Sequence, residues 1–342
     1  MNKLFFRNDY GEGAHPVVLD ALVKSNLEHT CGYGLDAYSL KAADLIREKC
    51  GKPEAAVHMM IGGTSANMIM LASCMRPYEA AIAAETGHIN VHETGTVEGS
   101  GHKVCIAASK DGKVLPQGVQ AVVDAHTDEH MVHPRVVYIS QPTEIGTVYS
   151  LDELRALREV CDKNDLLLYA DGARLGSALT ASEATATLQD MADLCDAFYI
   201  GGTKNGLLFG EALVLVNEKL HKDFRFMIKN RGGMIAKGRL CGVMFLAAME
   251  NDGYFEWARH ANAMADIIRA GMERGGVKQF IPTTTNQVFP VITREQEKML
   301  EEKIEFEHWG DVDEEHVAIR FVTSWATTEE DAKALAGIME AL

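Results

Sequence analysis

The sequence predicts an α/β protein in which a mostly parallel sheet lies between helices, followed by a smaller α+β domain. Two observations carry this reading. Short apolar runs of strand length alternate with segments of helical period through the first 217 residues, and the runs are continuous, so both faces of each strand are buried. Beyond about residue 217 the order changes: helices dominate to Arg274, and short strands and helices follow.

Taken in order, the strands are expected at 55–61 (AAVHMMI), 80–84, 104–108, 136–140 (VVYIS), 166–170 (LLLYA), 197–200 and 212–216. Helices fall between them at 65–76, 116–126 and 151–163. The last opens Ser150-Leu151-Asp152-Glu153, where a serine oxygen can accept a first-turn N–H and the acids meet the positive end of the helix dipole. Residues 55–75 carry no Asp, Glu, Lys or Arg over a membrane-spanning length, but Gly62-Gly63-Thr64-Ser65 and Asn67 interrupt them. A buried strand, a turn and a buried helix are expected there instead. QVFPVI at 287–292, AIRFV at 318–322 and a closing helix from about 328 belong to the second unit. The boundary is set at 1–250 for the large domain, N-terminal segment included, and 251–342 for the small one; 342 residues suffice for two cores.

With 47% apolar and 24% charged residues the chain has the balance of a folded globule, which excludes disordered, collagenous and coiled-coil classes. The excess of 49 acidic over 33 basic residues, net −16, argues against nucleic acid as a partner, because phosphate binding rests on Lys and Arg. The opening MNKLFFRNDYGEG lacks the apolar core of a signal peptide, so a cytoplasmic protein without a membrane partner is expected. Cys31, Cys50, Cys74, Cys105, Cys161, Cys195 and Cys241 are scattered singly, with no CxxC, and are expected as buried thiols. None of the 13 histidines forms an HExxH pattern, and no metal is expected.

Four patterns sit where strands end, the edge at which open parallel sheets bind ligands. IGGTSAN at 61–67 offers glycines and a helix start to an anion, or a plain turn. In LLLYADGARLG at 166–176, Asp171 follows four apolar residues; it is either a buried carboxylate in need of a cation or a helix cap. In IGGTKNG at 200–206, Lys204 is delivered among small residues into a partly desolvated place, which lowers a lysine pKa and frees the amine for imine formation. In ETGHINVHETG at 85–95, His88 and His92 are four apart and share a face if helical, as metal ligands or as a ring stacked on a flat cofactor. Together the patterns ask for a phosphate, an aldehyde for Lys204 and a ring nitrogen for Asp171. Pyridoxal 5′-phosphate meets all three demands.

The ordered set FFRNDYGEGAHP at 5–16, YGLDAYS at 33–39, GGTSAN, TGH at 86–88, SQPTEIGTVYSLDEL at 140–154, YADGARL at 169–175, GGTKNG and KNRGGMIAKGRL at 229–240 resembles the low-specificity L-threonine aldolases, grouped with the β-eliminating lyases. The resemblance implies the three-layer fold of the aspartate aminotransferase-like enzymes. It implies that Lys204 holds the cofactor as a Schiff base, that Asp171 keeps its ring nitrogen protonated, and that His88 stacks on the ring. Gly63 and Thr64, aided by Thr203, would bind the phosphate, and Arg231 and Lys237 would reach it across a subunit interface. Arg174 and Arg320 would grip the substrate carboxylate with Asn8, which stands where the family often has serine, and a bidentate fork suits that anion. One departure matters: the best-known branch has a histidine near the substrate hydroxyl where this chain has Glu144. Glu144, His88 or a water held by His92 would then accept the hydroxyl proton.

The activity implied is retro-aldol cleavage of L-threonine, L-allo-threonine or a related β-hydroxy-α-amino acid to glycine and an aldehyde. The alternatives are β-elimination or transamination on the same scaffold, or cofactor binding without turnover, since the fold does not decide which bond breaks. The resemblance also implies a homodimer or a homotetramer built as a dimer of dimers, with a shared active site.

Overall fold

The structure is a computed structural model that describes residues 3–342. Every one of the seven expected apolar runs is a strand of one sheet: β1 (Ala56–Met60), β2 (Glu79–Ala83), β3 (Lys103–Ile106), β4 (His133–Ser140), β5 (Leu167–Asp171), β6 (Ala197–Gly201) and β7 (Glu211–Leu215). The spatial order is β1-β7-β6-β5-β4-β2-β3. All neighbours are parallel except at β7, which runs antiparallel to both β6 and β1. Only residues 202–210 join β6 to β7, too short a connection for the crossover that a parallel neighbour requires. The reversal brings Glu211, the first residue of β7, to the edge where β1 and β6 end, opposite Met60 and Gly201.

The strand period of two sorts side chains between the two faces. Val137, Ile139, Leu168, Ala170, Phe198 and Ile200 enter a core with helices Ala37–Cys50, Leu151–Lys163 and Arg239–Met249. Tyr138, Tyr169 and Tyr199 face the other way, toward helix Gly63–Cys74. Ser150 starts its helix as expected: its Oγ accepts the Glu153 amide at 3.2 Å while Glu153 Oε2 accepts the Ser150 amide at 2.8 Å. Five cysteines are buried, Cys74 is half-buried, and Cys31 is exposed, so the expectation of buried thiols fails at Cys31; all seven are free. Among the described residues no helix is long and apolar enough to cross a membrane.

The second unit is a four-stranded sheet in which β11 (His316–Val322) pairs antiparallel with β8 (Gln287–Val288), β9 (Val291–Thr293) and β10 (Glu307–Asp311). Helix Gly253–Gly275 belongs to both units. Tyr254 and Trp257 pack in the large core, whereas Ala265, Ile268 and Met272 pack in the small one. The N-terminus crosses over as well. Leu4–Phe5 pairs in parallel with Ile304–Glu305, and Phe6 is buried against the small core.

The turn after β5 leaves no room for a side chain: a Cβ on Gly172 would stand 1.9 Å from the Tyr199 carbonyl oxygen. We expect Gly172→Ala to lower the melting temperature sharply, because overpacking against backbone costs about 1–3 kcal/mol or more. Gly13→Ala, where nothing lies within 4 Å, is the control expected to melt like wild type.

Candidate active site

At the carboxyl end of β5 the Asp171 carboxylate is fully enclosed, and its four acceptor positions are filled. Oδ2 accepts Asn67 Nδ2 at 2.8 Å and the Tyr138 hydroxyl at 2.7 Å; Oδ1 accepts the Ala173 amide at 3.0 Å and the Tyr199 hydroxyl. Burial alone would raise this carboxyl, but the His88 charge and the bonds from Asn67, Tyr199 and Tyr138 hold it below the ordinary carboxylate value. Asp171 is therefore an ionised strand-end residue, not a helix cap. The network runs on: Tyr169 donates to Asn67 Oδ1 at 2.9 Å, and Asn67 Nδ2 also reaches Glu93 Oε1 at 2.6 Å.

Glu93 in turn orients His88. Its Oε1 lies 2.7 Å from His88 Nδ1, and its Oε2 accepts Thr96 Oγ1 at 2.9 Å. This places the Nδ1 proton toward Glu93 and leaves Nε2 for the cavity. Burial works to lower the imidazole pKa, but the Glu93 bond and the charges of Asp171 and Glu93 carry it above its ordinary value. His88 starts a four-residue helix that His92 ends, so the two do share one turn, with ring centroids 5.5 Å apart. His88, Glu93 and Asp171 bring ligand-type atoms within 4.8 Å of one another, yet hydrogen bonds already engage them.

Lys204 rides on the tight connection between β6 and β7. Gly206, with φ +86°, allows that turn; a Cβ there would meet Trp257 at 2.7 Å. Lys204 is half-buried, and desolvation together with the nearby Arg174 charge pushes its amine down to about 8. Thr203 does not leave a free hydroxyl: Oγ1 donates to Glu211 Oε1 at 2.8 Å and accepts the Gly210 amide at 3.0 Å. Glu144 comes from the loop after β4, where the Gln141 side chain bonds the Tyr149 carbonyl and amide at 3.0 and 2.9 Å and fastens the segment. Glu144 Oε1 accepts the His88 amide at 2.9 Å and Ser140 Oγ at 2.6 Å. Burial raises its carboxyl above the ordinary value.

Tyr10, His88, His92, Glu144, Arg174, Lys204, Glu307, Trp309 and Arg320 line one cavity of about 260 Å³. Both arginines expected to hold a carboxylate are there, and each already has one. Arg174 Nε and Nη2 donate to Asp9 at 2.6 and 3.1 Å, and Asn286 Nδ2 supports the same carboxylate at 3.0 Å. Arg320 pairs with Glu307 and with Gln287 Oε1 at 3.1 Å, its guanidinium stands 5.1 Å from the Trp309 ring, and its buried Nε has no partner among the described residues. Asn8 is turned inward on its own loop, accepting the Tyr10 amide at 3.0 Å; it is Tyr10 that lines the cavity, its ring 5.8 Å from Lys204 Nζ.

Gly63 and Thr64 open helix Gly63–Cys74, which has no side-chain cap, so its first N–H groups lack an intrahelical partner. A Cβ on Gly63 would strike the Tyr199 hydroxyl at 2.8 Å, which ties this turn to the Asp171 network. Arg231 is half-buried, with an Nε that has no partner among the described residues, in the segment whose Gly233 packs on Ile69 and Ser65 of that helix. Lys237 is exposed and does not line the cavity. Asp9, Glu93, Glu211 and Glu307 are the charged groups that sequence patterns missed. Only the His-x4-Glu spacing of His88 and Glu93 offers a signal that could have found one of them.

A helix start with free N–H groups at the positive end of its dipole, an amine lowered to about 8 and an ionised carboxylate form the set of groups that suits a phosphate, a carbonyl and a protonated ring nitrogen; a ring N–H at Asp171 would replace one of its present donors. Fold and site thus define an aminotransferase-like enzyme that works with pyridoxal 5′-phosphate. Aspartate aminotransferase of Thermus thermophilus shares the fold, with a TM-score of 0.74 over 99% of this chain and 91% of that one, at 15% identity. The beta-eliminating lyase family matches residues 7–295, and the chain belongs to it, as a lyase. Among its relatives, the low specificity L-threonine aldolase of a Pseudomonas species (strain NCIMB 10558) is 32% identical over 98% of this chain and 97% of its own length. The threonine aldolase of Leishmania major superposes with a TM-score of 0.97 at 40% identity, covering 98% of each chain.

The Asp9–Arg174 pair yields a stability prediction. Burial would raise the Asp9 carboxyl, but the Arg174 and Lys204 charges and the bonds from Arg174 and Asn286 hold it below its ordinary value. Its contribution is therefore present above the unfolded pKa and lost as pH falls through the folded one. We expect Asp9→Ala to cost about 3–5 kcal/mol in urea unfolding at neutral pH, because it strands a buried guanidinium. The deficit should shrink in acid below the ordinary carboxylate value.

Proposed function

We propose that this enzyme cleaves the Cα–Cβ bond of L-threonine, L-allo-threonine or a related β-hydroxy-α-amino acid, releasing glycine and an aldehyde. The observation that carries the reading is the meeting of Lys204, Arg174, Arg320, His88 and Glu144 around one cavity of about 260 Å³. In this reading Lys204 holds the cofactor's carbonyl carbon, Asp171 its ring nitrogen, His88 its ring face, and Gly63, Thr64 and the helix start behind them its phosphate. Arg231 and Lys237 reach the phosphate from a second subunit, whereas the Thr203 hydroxyl, committed to Glu211, takes no part. The bound cofactor supplies an electron sink for the pair left when the Cα–Cβ bond breaks.

The remaining work falls to the chain. Arg320 and Arg174 hold the substrate carboxylate, the former through the guanidinium edge that Glu307 now occupies. Holding the carboxylate there fixes which bond at Cα stands across the flat ring, and so which one is weakened. Glu144 takes the hydroxyl proton: Oε1 is committed to Ser140 and the His88 amide, which leaves Oε2 for the substrate. A carboxyl raised by burial is the stronger base once ionised. His88 and His92 flank the same space, and His92 is lowered by burial and by the His88 charge, so it stays neutral near physiological pH. The proton leaves the hydroxyl, the Cα–Cβ bond breaks, the aldehyde departs, and Cα is reprotonated to give glycine.

We further infer a dimer or dimer of dimers in the cytoplasm. Tyr33, Leu40 and Ile61 leave apolar side chains exposed around one hollow beside the Gly62-Gly63 turn, a face that a second subunit would cover. Seven free cysteines suit a reducing compartment.

Purified, cofactor-loaded protein given L-threonine or L-allo-threonine should release glycine and acetaldehyde in equal amounts, and Lys204→Ala should release neither. A keto acid and ammonia instead would assign β-elimination. Glu144→Gln should lose about 10²–10⁴-fold in kcat with cofactor binding intact, the range of a positioned base. The wild-type rate should fall as pH drops through a value above the ordinary glutamate range, because protonation removes the base; that limb should vanish in the variant. Loading of cofactor-free protein should quicken as pH rises toward about 8, where the Lys204 amine loses its proton.

A further inference from the structure

One buried ionisable group near Lys204, Glu211, has no part in the proposed cleavage. Glu211 is fully enclosed at the start of β7, and its carboxylate spans the base of the turn that carries the lysine. Oε2 accepts the Gly202 amide at 2.8 Å, and Oε1 accepts the Thr203 hydroxyl at 2.8 Å. The same two residues also bond the adjoining backbone: the Gly202 and Thr203 amides donate to the Gly210 carbonyl at 3.0 and 3.2 Å, and the Gly210 amide donates to Thr203 Oγ1 at 3.0 Å. A neutral side chain could close such a turn at less desolvation cost, so a carboxylate in this place calls for a reason.

From this geometry we propose that Glu211 is the positioning residue of Lys204: it latches the 202–210 connection and sets the charge state of the amine that the connection carries. The proposal rests on the reading that Lys204 is the reactive lysine. The titratable groups that interact with the carboxylate's charge come from several neighbouring elements: Lys204 on the turn, Asp171 and Tyr169 from β5, Tyr199 from β6, Cys241 from helix Arg239–Met249 and Tyr254 from helix Gly253–Gly275. The Arg174 and Asp9 charges also act on Lys204, in opposite directions. Burial raises Glu211 to about 7, only a little below the value of about 8 for Lys204. Between them the two groups therefore hold two protons below the Glu211 value and one between the two values. Above the Glu211 value the carboxylate is ionised and favours the cationic amine; below it the neutral acid gives that support up.

Glutamine reproduces the neutral acid here, since its oxygen can accept the Gly202 amide while its NH₂ donates to Thr203 Oγ1. Glu211→Gln thus fixes the protonated form at every pH, and Glu211→Asp keeps the charge. The experiment uses cofactor-free protein: Lys204 is labelled with an amine-reactive reagent from pH 6 to 10, its peptide is quantified by mass spectrometry, and amide exchange at Gly202 is followed alongside. The Glu211→Gln midpoint should fall by about half a unit to one unit, a roughly three- to tenfold gain in neutral amine at a pH below both midpoints. Glu211→Asp should stay near the wild-type midpoint. A purely structural role would speed Gly202 exchange without moving the midpoint, and that result overturns the proposal. An equal fall in both variants also overturns it, because charge would then not be the cause. Labelling needs no substrate, so a protein that shifts as expected but releases no glycine would refute the aldolase reading and leave this one standing.

Discussion

An ionised carboxylate without water, Asp171, is the constraint on which the rest of the site depends. Removing such a group from solvent costs several kcal/mol unless hydrogen bonds and opposite charge offset it. Here the offset is built from the sheet itself. Tyr138 and Tyr199, one on each strand flanking β5, turn their hydroxyls to the same carboxylate, and Asn67 meets it from the facing helix. Each donor then has its own demand: Tyr169 serves Asn67, Glu93 takes the second Asn67 proton, and His88 and Thr96 serve Glu93. A single deletion would leave a buried polar group unpaired somewhere along the chain of bonds, which is why the network is all-or-nothing.

The seven strands of the large sheet were legible because each is a continuous apolar run between turn residues; Asp171 directly follows such a run, His88 and Lys204 come a short turn after one, and Glu144 was singled out only through the family resemblance. The reversal of β7 was not legible. An apolar run carries no direction; only the brevity of the 202–210 connection encodes it. Asp9 and Glu307 were hidden for another reason. Asp9 meets Arg174 across 165 residues of sequence and Asn286 across 277, so no local pattern joins them. Glu211 reads as an ordinary residue between Gly210 and an apolar strand until the register sets it beneath Thr203. Thr203 itself was expected to face a phosphate, yet its hydroxyl hydrogen is directed at Glu211.

Charge pairing explains how the cavity keeps two arginines without a ligand. Asp9 and Glu307 each sit on one guanidinium, and Trp309 covers the face of the second. Positive charge is thereby held in place without standing bare in a partly desolvated cleft. An arriving carboxylate exchanges one ion pair for another, so its net gain is smaller than a free arginine would give. The overall charge of −16 reveals nothing of this local arrangement.

Leu4, Phe5 and Asp9 bear on how the molecule comes to exist. Leu4–Phe5 finds its partner only at Ile304–Glu305, and Asp9 is braced by Asn286. On a ribosome, every strand of the large sheet emerges before either partner does. The large sheet can form early from its mostly sequential parallel units, whereas closure of the N-terminal segment must wait for nearly the whole chain. The cavity is thus the last part assembled, and a nascent chain whose sheet is already in place still lacks the carboxylate that seats Arg174.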